Sequence, residues 1–153
     1  MTNRANPYFA DGKTAQLLID FAKAVEKDGL EPSLMELVKI RALQINGCGM
    51  CLHMHTSDAR KAGESEERIF LLDAWRDSPL FTARERAALR WTEALTRLSE
   101  THAPDEDYEA AAAEFTSEEL VKLTMIIVAI NGFNRLNVGF AVKHPMSRPQ
   151  QAA

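Results

Sequence analysis

The chain has 153 residues, 46% of them hydrophobic and 26% charged, and a formal net charge of −4. This is the make-up of a globular protein with a core of its own, and basic residues scattered among acidic ones leave no electrostatic footprint for nucleic acid or an anionic membrane surface. Met1 to Lys13 lacks the apolar segment of a secretory signal, and the longest apolar run, Leu123 to Ile130, falls short of the roughly 20 residues that span a bilayer. The expectation is one cytoplasmic domain over residues 1–153, with its core over about 13–142 and a loose tail over 144–153.

Periodicity and punctuation predict helices almost throughout. After an irregular start, Lys13 to Lys27 places Leu17, Leu18, Phe21, Ala22 and Val25 at helical spacing and stops at Gly29. Pro32 suits the first turn of a second helix reaching Asn46 and halted by Gly47. A third runs from near Cys48 to Gly63, and Ser65 caps a fourth carrying Ile69, Leu72 and Trp75 before the loop at Ser78 and Pro79. Thr82 to Glu85 has capping-box form and opens a fifth helix through Leu98. Pro104 to Phe115 forms a shorter acidic helix, and a second capping box, Thr116 to Glu119, begins a long last one. No segment alternates as a strand would, so the fold class is all-α, a bundle of six or seven helices. Trp75 and Trp91 are read as core or subunit contacts, and Leu120, Leu123, Ile127, Ile130 and Leu136 as the stripe of a buried central helix. Asn131, Asn134 and Asn137 are read as a local polar network or an oligomer contact, joined by Arg135.

Both cysteines and two of the four histidines fall within Ile45 to Thr56, "INGCGMCLHMHT". At about 100° per residue, Cys48, Cys51 and His55 share one helical face with Leu52, Ala59 and Ala62. Met50, His53, Ser57, Arg60 and Lys61 fall on the other, solvated side. If Asn46 and Gly47 break the chain before this helix, the thiols lie in its first turn, where orphan N–H groups favour a thiolate. Neutral His55, one turn beyond Cys51, can accept its proton. The pair is close enough to close on itself as a disulfide, so the constellation describes a redox dithiol. Glu36 lies in a preceding helix that is apolar nearly all round. It is either a buried carboxyl with a raised pKa that trades protons with the Cys–His pair, or a more exposed one paired to Lys39.

Glu36, eleven residues, Cys48-x-x-Cys51, three residues and His55 together resemble the alkyl hydroperoxidase D-like branch of the carboxymuconolactone decarboxylase superfamily. "AINGFNRLNVGF", Ala129 to Phe140, is similar to that family's last long helix, and the likeness covers about Leu30 to Phe140. The resemblance implies a small all-helical homo-oligomer, trimer or hexamer, acting as a thiol peroxidase. In it Cys51 attacks a hydroperoxide and becomes a sulfenic acid, Cys48 resolves this to a disulfide, and His55 with Glu36 relays the proton, with no cofactor. A lipoyl-bearing or thioredoxin-like dithiol protein then resets the pair. The best-known peroxidases of the family carry His where this chain has Met50, and the decarboxylases lack the cysteine pair, which argues against lactone decarboxylation.

Other chemistries use the same residues. A disulfide reductase needs the same dithiol. Cys48, Cys51, His55 and Glu36 also make a four-ligand set for a metal-binding module, and "HMH" at His53 to His55 has the residues of a copper ligand. Two inert buried cysteines would leave a helical oligomeric scaffold. A c-type haem would need His at position 52, where Leu52 stands, and a thioredoxin fold would need a βαβ pattern.

Overall fold

The structure is a computed structural model and describes residues 4–145. Several of the helices start where a side chain satisfies an orphan N–H group. Asn6 caps α1 (Pro7–Ala10), with Pro7 in the first helical position, and Asp11 caps α2 (Gly12–Lys27). Helix α3 (Pro32–Asn46) ends at Gly47, whose φ of 64° lies in the left-handed region glycine adopts without strain. From there the N–H groups of Gly47 and Cys48 turn back to the carbonyls of Gln44 and Leu43, the two bonds of a Schellman end. Cys48 is at once the residue that closes α3 and the N-cap of α4 (Gly49–Lys61).

Ser65 caps α5 (Glu66–Leu71), which tightens into a 3-10 turn over Leu72–Ala74. The fourth helix was expected to carry on past Leu72. Its apolar residues, Ile69, Leu72 and Trp75, recur every third position, which is the 3-10 period rather than the α one, and all three are buried. Both capping boxes form in full, Thr82 with Glu85 opening α6 (Ala83–Thr96) and Thr116 with Glu119 opening α9 (Ser117–Gly139). The expected continuation of α6 through Leu98 is interrupted at Arg97, with Thr101 Oγ1 donating back to the Ala94 carbonyl at 2.7 Å. A separate short α7 (Leu98–Thr101) follows, then α8 (Asp105–Ala112). Every regular element among the described residues is helical, as expected. The two four-residue helices, α1 and α7, are the additions to the anticipated six or seven.

Helices α3 and α9 form the centre. Nine of the fifteen residues of α3 are buried. Leu34 and Val38 pack against Leu123, Ile126 and Ile127 of α9, while Leu37 and Ile40 meet Leu72, Trp75 and Leu89 on another side. Full burial of each such aliphatic side chain stabilises the fold by roughly 2 kcal/mol. Of the anticipated α9 stripe, Leu120, Leu123, Ile127 and Ile130 are buried and Leu136 is half-buried. Two buried charges are met by partners: Arg41 Nε reaches Glu93 Oε1 at 2.8 Å, and the same oxygen accepts from Trp75 Nε1 at 2.8 Å. Helix α2 lies against α9 where Gly132 leaves room, since a Cβ there would come within 3.1 Å of Leu18.

Among the described residues no helix is long and apolar enough to cross a membrane. Of the anticipated loose tail, residues 146–153 lie outside those described.

Candidate active site

The Schellman turn at Gly47 places the two cysteines. Cys48 sits at the N-cap of α4 and Cys51 three residues on, in its first turn, as the spacing predicts. Their Cα atoms are 5.5 Å apart, within the range a disulfide spans, and the structure pairs them as one. Both are almost wholly buried, but unequally placed. Cys51 lines a cavity of about 550 Å³, whereas Cys48 lies behind it against Ala42, Leu43 and Ile130.

His55 and Glu36 reach the same cavity from α4 and α3. Their side chains meet at 2.9 Å, His55 Nδ1 to Glu36 Oε2. The other Glu36 oxygen takes Lys39 Nζ at 2.9 Å, and that ammonium also reaches Glu26 Oε1 at 2.5 Å. The two readings of Glu36 are therefore realised together, since it pairs to Lys39 and faces the histidine. Its pKa shift runs opposite to the raised one of the first reading. Burial works to raise the carboxyl, but the His55 hydrogen bond and the Lys39 charge outweigh it and hold Glu36 below the usual carboxylate range. Lys39 is held above its ordinary value, burial being overcome by Glu26 and Glu36. The ionised form of Glu36 is thus favoured. Accepting from Nδ1–H, it fixes the tautomer that leaves Nε2 of a neutral His55 free to accept. Among the described residues no hydrogen bond joins His55 directly to Cys51, so a proton passing between them crosses the cavity.

The cavity wall is mostly apolar, with Ile19, Val25, Ile126, Ile130 and Phe133 from α2 and α9. Met50 corrects the helical-wheel reading, for it is half-buried and lines the cavity together with Met54 one turn on. The far side of α4 is expected to be solvated, but part of it faces the cavity, whose opposite wall includes α2. His53 does point outward, where its ring stacks on His144 with centroids 4.8 Å apart.

The α9 asparagines form the local polar network expected of them, and that network reaches the Cys51 sulfur. Asn137 Nδ2 lies 3.1 Å from Cys51 Sγ and Asn134 Nδ2 lies 3.8 Å from the same atom. Asn137 Oδ1 accepts from the Tyr8 hydroxyl at 3.0 Å, and burial pushes that phenol up from its ordinary value. Asn134 Oδ1 accepts from Asn46 Nδ2 at 2.7 Å, and Asn46 also donates to Asn131 Oδ1 at 3.0 Å. Arg135 joins as expected, through the Asn131 carbonyl at 2.9 Å. The available signal was the three-residue spacing, which sets Asn131, Asn134 and Asn137 in one row. Tyr8 carried no such signal.

No group of three or more His, Cys, Asp or Glu side chains among the described residues is arranged to hold a metal ion. Of the proposed four-ligand set, Cys48 faces Cys51 and Glu36 is engaged by His55 and Lys39.

The chain has relatives among known proteins. The Carboxymuconolactone decarboxylase family model matches residues 12–94. The uncharacterized protein YdfG of Bacillus subtilis is 36% identical over 138 residues, covering 90% of this chain and 94% of that one. The uncharacterized protein YnjA of Escherichia coli is 30% identical over 112 residues, 73% of this chain and 61% of its own. Among solved structures, a protein of unknown function from Agrobacterium tumefaciens, provisionally named an antioxidant defence protein AhpD, superposes with a TM-score of 0.92. It is 41% identical and covers 95% of this chain and 100% of its own. The debrominase Bmp8 shares the fold at a TM-score of 0.76 and 20% identity, over 88% of this chain and 74% of its own. With its helical architecture and its Glu36, Cys48, Cys51 and His55 constellation, the chain belongs to the carboxymuconolactone decarboxylase family, in the AhpD-like branch.

Proposed function

We propose that the protein is a thiol-dependent peroxidase that reduces organic hydroperoxides through a Cys51 to Cys48 cycle. One observation carries the reading: Cys51 and the Glu36-oriented His55 open onto one apolar cavity, and Cys48 waits behind Cys51 within bonding reach. Neutral His55 takes the Cys51 proton across the cavity through Nε2. The thiolate attacks the terminal peroxide oxygen, the O–O bond breaks, and the imidazolium returns the proton to the leaving alkoxide as an alcohol. Sulfur is oxidised by two electrons to the sulfenic acid, and the Cys48 thiol displaces water from it to close the disulfide. A dithiol donor, lipoyl-bearing or thioredoxin-like, restores both thiols and leaves as its own disulfide.

The protein acts as a homo-oligomer, a reading supported by Val121, Met125 and Val128, an exposed apolar row along α9. Hydroperoxide consumption with dihydrolipoamide as reductant tests the cycle. Wild type turns over, Cys51→Ser is inactive, and Cys48→Ser stops after one equivalent with sulfenic acid trapped on Cys51. Equal consumption by all three proteins, or none by any, rejects it.

A further inference from the structure

We propose that Asn137 and Asn134 form a two-pronged N–H cradle that stabilises the Cys51 thiolate, with Tyr8 and Asn46 as the positioning residues that hold both prongs toward the sulfur. The proposal rests on the reading of Cys51 as the attacking sulfur. The way each carboxamide faces is fixed by its neighbours, since oxygen and nitrogen ends differ in whether they accept or donate. At the far end of the network the backbone carbonyl of Ile127, a pure acceptor, receives Asn131 Nδ2 at 3.0 Å. The guanidinium of Arg135, a pure donor, lies 3.4 Å from Asn131 Oδ1. Asn131 therefore presents its oxygen to Asn46, which must answer with nitrogen. Asn46 gives the same nitrogen to Asn134, which must present oxygen and so turns its own Nδ2 to Cys51 Sγ. The orientation of Asn134 is thus transmitted from a main-chain group through two side chains, Asn131 and Asn46.

Asn137 is fixed from the other side. Its oxygen is held by the Tyr8 hydroxyl, leaving Nδ2 on the sulfur. Asn131, Asn134 and Asn137 are 8%, 2% and 7% exposed, so their carboxamides are bound chiefly by one another and by their protein neighbours. Against a disulfide or a neutral thiol, two N–H donors meet only a weak acceptor. Against a thiolate each becomes a charge-assisted bond, so the arrangement favours the charged form. Cys48 receives no such donors among the described residues, which separates the two thiols in acidity. The other ionisable groups around the cavity are Lys23 and Glu26 from α2, Glu36 and Lys39 from α3, and His55 and Asp58 from α4. All remain in place in the variants below.

The test needs no hydroperoxide. In a Cys48→Ser background, the Cys51 thiolate is titrated by its ultraviolet absorbance and by the pH dependence of iodoacetamide alkylation. Adding Asn137→Ala is expected to move the titration midpoint upward and to slow alkylation near neutral pH by about tenfold, with the alkaline plateau rate unchanged. Adding Tyr8→Phe instead, which frees the Asn137 carboxamide to rotate, is expected to move the midpoint the same way by less. An unmoved midpoint with Asn137→Ala overturns the proposal, as does an equal loss of rate at all pH values, the mark of altered access alone. Should Asn137→Ala not fold, Tyr8→Phe decides: an upward midpoint supports the cradle and an unmoved one rejects it. Failure of the peroxidase reading would appear as wild type that consumes no hydroperoxide, and would leave this titration as it is.

Discussion

His55 Nδ1 and Glu36 Oε2 are 2.9 Å apart, and this contact ties the helix that carries the thiols to the helix that carries the buried charges. In the proposed cycle the carboxylate orients the imidazole, its hydrogen bonds to His55 and Lys39 favouring the ionised form against burial. Glu36→Gln preserves the shape but lets the amide present either end to the ring. Hydroperoxide turnover is expected to fall by about tenfold or more, while Cys51 remains alkylatable. Steady-state kinetics beside a thiol-labelling assay check this, and an unchanged rate would remove Glu36 from the relay.

Stability is expected to fall on acidification below about pH 4.5. Glu36, Glu85 and Glu93 are all held below their ordinary value of 4.5, and Glu119 is lowered to about 2 by the Thr116 backbone N–H and Arg84. Because the native values are depressed, the unfolded chain binds protons first. The contribution of these groups is complete above 4.5 and is lost as pH falls through the native values. Urea denaturation across this acid range measures it, and Glu93→Gln should flatten the slope.

Glu93→Leu is expected to destabilise the fold by about 3 kcal/mol, because it strips buried Arg41 of its interior counter-ion and leaves the Trp75 indole N–H without its acceptor. Glu93→Gln keeps an oxygen for Trp75 and should cost less. Chemical denaturation of both variants separates the charge from the hydrogen bond.

Gly47→Ala is expected to cost about 1 kcal/mol or somewhat more from backbone strain. Nothing lies within 4 Å of a Cβ built there, so the whole penalty is conformational, at a φ of 64°. A loss near zero in equilibrium unfolding would mean that the turn relaxes, and disulfide closure between Cys48 and Cys51 would then be slowed.

How much of this was legible in the sequence depended on the range of the signal. The capping boxes at Thr82 and Thr116 and the glycine stop at Gly47 are local chemistry, and all three appear where the residues place them. The common face of Cys48, Cys51 and His55 follows from helical geometry alone. What one helix cannot say about itself is what lies across from it. Met50 reads as solvated but faces the cavity, and the asparagines of α9 meet the Cys51 sulfur only because α4 packs against them. Burial alone would raise the Glu36 carboxyl, and it is lowered instead because His55 reaches it from α4 and Lys39 lies beside it, of which the first is a contact between helices. Tyr8 sits in a four-residue helix with no periodicity to read, though Asn6 followed by Pro7 is a helix-start signal.

Helix α3 is greasy on almost every side, and grease alone would let such a rod settle at several rotations about its axis. Lys39 and Arg41 remove that freedom. Separated by about 200° around the rod, one is clasped by the acids Glu26 and Glu36 and the other by Glu93 and Asp73. Any other angular setting would bury at least one cation among hydrocarbon. The two clasps therefore work as keys in opposed locks, and the angle at which Glu36 faces its histidine is set in part by a charge on the opposite flank of the molecule.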